Sequence, residues 1–214
     1  MCRTILRVTV IGAVIAAIAA VVTPVRHTLL RSAGRLLVVA DSREPARPPT
    51  LIAMDVESRE AGAIELSDLY RAQPTAAVGL LVPRATTVDR ELERRGVIVP
   101  DVLVEMLTQL GVPRSAVVKI PAGDGGTTET VAALADWART HPASRVLVVV
   151  GPSHGRRYRR ALRRAWPDGQ PAPTVMTTPY AAFQPDDWWQ SRTTLREGLM
   201  EWQKLALDCA RHPW

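Results

Sequence analysis

The chain has 214 residues, 47% of them apolar and 22% charged, with a formal net charge of +6. That length suits one domain with a sizeable core plus a short appendage, and the apolar fraction argues against disorder over most of the chain. The two cysteines, Cys2 and Cys209, stand at opposite ends, so no disulfide framework is encoded.

Residues 8–25, VTVIGAVIAAIAAVVTPV, run for eighteen positions without a charge. As a helix the run spans ~27 Å, enough for the hydrocarbon core of a bilayer. The expectation is a retained anchor over residues 1–26. A cleaved signal peptide is its rival, because Ala17-Ile18-Ala19-Ala20 offers small residues for cleavage. Arg3 and Arg7 precede the run and Arg26, Arg31 and Arg35 follow it, so flanking charge does not fix its orientation. Residues 27–49 read as a juxtamembrane segment ending in a proline-rich linker, and 50–214 as the folded domain.

From Thr50 short apolar runs alternate with helical patterns. Strands are predicted at 50–56, 76–82, 116–120, 145–150 and 173–178, and helices at 58–73, 101–111, 127–140, after 154, and at 188–210. The runs are continuous instead of alternating, as in strands buried on both faces. The expected fold is therefore a three-layer, Rossmann-like α/β domain with a mainly parallel five-stranded sheet.

In such sheets ligands bind beyond the carboxyl ends of the strands, where helix N-termini present free amides. Asp55, Glu57 and Arg59 follow the first strand. Gly125, Gly126, Thr127 and Glu129 follow the third, in a small-residue loop that reads either as a phosphate cradle or as a loop ending in a cap from Thr127 or Thr128. Ser153, His154 and Arg157 follow the fourth. His154 is the candidate for proton transfer, because imidazole titrates near neutrality. The other histidines are scattered without accompanying cysteines, so no metal site is expected. Residues 156–164 hold six arginines and no acidic residue. Arg156, Arg160, Arg163 and Arg164 are expected to form one group, with Arg157 and Arg159 pointing elsewhere. They suit an anionic small molecule or lipid headgroups. With Tyr158 and Trp166 the only rings nearby, the pattern does not favour nucleic acid.

Several short motifs recur in a recognisable order. They are Arg59, Ala63 and Leu69-Tyr70; Gly111-Val112-Pro113; Thr127 and Glu129; His154 and Arg157; Trp188-Trp189; Leu195-Arg196-Glu197; and Glu201 to Leu205. In that order the chain, over about residues 50–207, resembles the YdcF-like family of bacterial envelope proteins, which includes the SanA and ElyC types. The resemblance implies a Rossmann-like domain held at the plasma membrane by a single N-terminal helix, facing away from the cytoplasm and acting in cell-wall biogenesis. The residues at the strand ends point to a phosphate-bearing, nucleotide-like or lipid-linked ligand, and the resemblance adds S-adenosylmethionine, which one family member is linked to binding. The expected pocket has Arg157 as anion holder and His154 with Glu129 as the catalytic groups. A scaffold docking protein or anionic lipid through the arginine helix is the alternative, and a soluble S-adenosylmethionine enzyme a third reading. The chain departs from the family where a glycine pair usually follows the first strand, having Asp55-Val56-Glu57 there, and where a Thr-Ser usually precedes the histidine, having Gly151-Pro152.

Overall fold

The computed structural model of the chain describes residues 24–39, 47–97, 101–123, 126–142 and 144–213. Most of the apolar run and Gly125 lie outside them. No helix among the described residues is long and apolar enough to cross a membrane.

Five strands, β1 (Leu51–Met54), β2 (Ala77–Val82), β3 (Val117–Pro121), β4 (Val146–Val150) and β5 (Thr174–Thr177), form one sheet in the order β3-β2-β1-β4-β5. Every pairing is parallel. The sheet is thus wholly parallel, and the continuous apolar runs have their expected cause. Residues of alternate parity face opposite layers: Leu51, Val148 and Val150 meet one set of helices, Ile52, Met54 and Val149 the other. Helix α2 (Arg59–Ala72) and helix α4 (Val102–Gln109) cover the second face through Ala63, Leu66, Val104 and Leu107. Helix α5 (Thr127–Thr140) and helix α6 (Gly155–Ala165) cover the first through Val131, Leu134, Tyr158 and Leu162.

Two elements differ from the sequence expectation. Residues 87–94, where no element is predicted, form helix α3 (Thr87–Arg94). Its apolar stripe is nearly absent, but Thr86 and Asp89 make a reciprocal capping box and Glu91 pairs with Arg94 and Arg95. Helix α5 starts as expected, yet its N-cap is Gly126 and no threonine side chain caps it.

Outside the sheet layers, a helix over residues 24–37 (α1) lies against the segment leading into α7 (Arg192–Arg211). Leu37, Phe183, Trp188 and Leu205 form a small satellite core there, and Trp188 Nε1 donates to the Leu30 carbonyl at 2.8 Å. Gly34 makes this approach feasible, since a Cβ there would collide with the Pro185 backbone. Residues 27–39, expected to be juxtamembrane, therefore pack on the α/β body.

Candidate functional site

The strand order reverses direction between β1 and β4, and a crevice opens at their carboxyl ends. After β1 the chain turns through a 3-10 segment, Val56–Ser58; after β4 it turns through another, Pro152–His154. These turns bring Asp55 and His154 together from 99 residues apart, with Nε2 and Oδ2 separated by 3.1 Å. Both side chains are buried, at 7% and 3% exposure for His154 and Asp55. Ionised Asp55 only accepts, so His154 Nε2–H donates to it. The opposite ring nitrogen, Nδ1, faces Glu57 Oε2 at 4.0 Å. Gly151 lets the ring lie close: a Cβ there would stand 3.1 Å from the imidazole Cε1.

The cleft around this pair has a volume of about 440 Å³. Its wall also includes Ser58, Arg59, Ser153, Glu197, Glu201 and Lys204. Ser153 Oγ donates to Glu197 Oε1, tying the β4 turn to α7. Arg59 opens α2 with φ at +43°, a left-handed value rare for a residue with a side chain.

Protonation in the site follows its charges. Burial is the largest influence on His154 and acts downward, but the Asp55 hydrogen bond and the charges of Asp55, Glu57 and Glu201 outweigh it and raise its pKa. Burial likewise pushes Glu201 up, and bonds from Arg157 and Lys204 reverse this, so its carboxyl stays below the usual range. Behind His154, burial and then the Asp55 charge hold the Tyr158 hydroxyl protonated.

The fold thus places Glu57, Arg59, Ser153 and His154 in the wall of one crevice, with Asp55 buried against His154. Arg157 and Thr127 stand beside it in a different role. Arg157 Nε and one terminal nitrogen donate to Glu201 at 2.9 and 3.3 Å, and the other donates to Thr127 Oγ1 at 2.7 Å. Its fork is filled from within, and at 13% exposure its charge neutralises a buried carboxylate. Arg157, expected as the anion holder, thus has its guanidinium engaged within the protein. Glu129 is exposed and its carboxylate folds back over Gly126, outside the cleft wall. Thr127 lines a neighbouring hollow that the Arg157–Glu201 pair separates from the cleft.

The sequence reading did not single out Glu197, Glu201 and Lys204 as site residues. Their i, i+4, i+7 spacing on α7 was the available signal, because such residues share one helix face. No protein-family model matches the chain, and no curated protein does.

Proposed function

We propose that the chain is a YdcF-like protein of bacterial cell-envelope biogenesis, anchored in the plasma membrane through residues 8–25 with its α/β domain outside the cytoplasm. In this reading it binds a phosphate-bearing or nucleotide-like ligand at the carboxyl edge of its sheet. The observation that carries the proposal is the convergence of Asp55, His154 and Arg59 at the crevice where the strand order reverses. Arg59 is exposed there and has no ion pair among the described residues, so it serves as the anion-holding group in place of Arg157. Backbone amides of the β4 turn supply further donors. His154, held by Asp55, is the group that can move a proton. Titration calorimetry of the full chain in detergent, with ADP as probe, tests this. Arg59→Ala should weaken binding about tenfold, the loss of one charged hydrogen bond of ~1.5 kcal/mol; equal affinity would refute the assignment.

One observation favours a second reading, docking to anionic lipid. A separate hollow of about 570 Å³ lies between α1, α6 and α7, with Leu36, Val39, Trp202 and Leu205 on its floor. Arg35, Arg156, Arg159, Arg160 and Arg163 rim it, so Arg159 joins this group instead of pointing elsewhere. Arg156 and Arg163 have no ion pair among the described residues, and Trp202 Nε1 has no hydrogen-bond partner there. An apolar floor under guanidinium groups suits an amphiphile with an anionic head. Native mass spectrometry of the full chain should find phosphatidylglycerol retained over phosphatidylcholine, and less of it in Arg156→Ala/Arg163→Ala.

A further inference from the structure

The cleft at the β1–β4 crossover is oddly charged for a phosphate site. Glu57, Glu60, Glu197 and Glu201 contribute carboxylates to its wall, against Arg59 and Lys204, and Lys204 is already paired with Glu201. A bare phosphate entering it meets more negative charge than positive. An element that reverses the local sign is needed, and the residues present can hold one.

We propose that Asp55, Glu57 and His154 form a binding site for a divalent metal ion of the Mn²⁺ or Zn²⁺ class. Each residue offers a ligand atom, and these atoms lie within 4.8 Å of one another. Two metal–ligand bonds of ~2.1 Å at a tetrahedral angle hold their donors ~3.4 Å apart, so Asp55 and His154, already at 3.1 Å, need little movement once the ion replaces the Nε2 proton, and Glu57, the exposed member, swings in to complete the set. Asp55 and His154 are fixed by burial and by the two 3-10 turns, which leaves little entropy to lose on binding. Two carboxylates with one imidazole select a cation that accepts mixed oxygen and nitrogen donors, over Ca²⁺ and Mg²⁺, which take oxygen. An independent observation points the same way. Ser58 is buried in the wall of this cleft, one residue from Glu57, and its hydroxyl has no hydrogen-bond partner among the described residues. A metal-bound water supplies such a partner. With the ion in place the cleft gains two positive charges and a phosphate can coordinate directly. That last part rests on the phosphate reading above; binding of the ion itself does not.

The test uses the full chain in detergent micelles with Mn²⁺, whose free aquo form is counted by electron paramagnetic resonance. One saturable site is expected, weakened at least tenfold in Glu57→Gln, whose exposed position leaves folding intact by circular dichroism. Absence of saturable binding, or equal binding by Glu57→Gln, overturns the site. In a second arm inorganic pyrophosphate is titrated with Mn²⁺ or with chelator. Pyrophosphate that binds at least tenfold tighter with Mn²⁺ supports both proposals. Mn²⁺ that binds while pyrophosphate does not keeps the ion and overturns the phosphate reading. Pyrophosphate that binds equally well under chelator keeps that reading and overturns the ion's part in it, the first arm deciding the ion's own binding.

Discussion

Two hollows of opposite character flank the α6–α7 pair. Toward the crevice, charge is locked into pairs: His154 with Asp55, Arg157 with Glu201, Ser153 with Glu197. Toward α1, Arg156 and Arg163 stand over an apolar floor with no ion pair among the described residues. Arg160 and Arg164 lie between these extremes, sharing Asp208 on α7. One basic stretch thus performs three tasks, set by which way each residue turns around the helix. Paired, buried arginines hold the architecture together; the unpaired ones remain available to a partner.

The sharpest break of that contrast is Arg157→Ala. It leaves Glu201, which is 6% exposed, with the half-exposed Lys204 as its remaining counter-charge, and urea denaturation should show a loss of ~2–3 kcal/mol. Arg157→Met with Glu201→Leu should recover most of it; a single variant as stable as the parent would mean that the pair carries no structural weight. Next comes Gly34→Ala, which forces α1 away from Pro185 and should cost ~1–3 kcal/mol in the same assay. A smaller effect concerns pH. Because Glu201 has a lowered pKa in the folded state, its stabilising contribution is present above the ordinary value of 4.5 and fades as pH falls through the lower folded value. The melting-temperature gap between the parent and Glu201→Gln should therefore be open at pH 6 and close with acidification. The smallest effect is on the other side of the helix, where Arg156→Ala/Arg163→Ala should shift unfolding by no more than ~0.5 kcal/mol.

The layers of the fold were legible because burial on both faces leaves uninterrupted apolar strands, and α5 was read to its end residues, Thr127–Thr140. Helix α3 was missed because its stability comes from a cap and surface pairs instead of an apolar stripe. The Asp55–His154 contact follows from strand order, which places the ends of β1 and β4 side by side. What no spacing revealed was the competition for Arg157. A guanidinium near a predicted ligand site looks available until a buried carboxylate from a helix 44 residues away is seen to occupy it.

The satellite core beneath α1 has a mechanical corollary. Ala181 and Ala182 form part of the crevice wall, and the same short stretch of chain continues through Phe183 and Pro185 to Trp188, which grips the Leu30 carbonyl. A single short stretch of chain thereby joins the first helix to the rim of the opening by a route that bypasses the sheet.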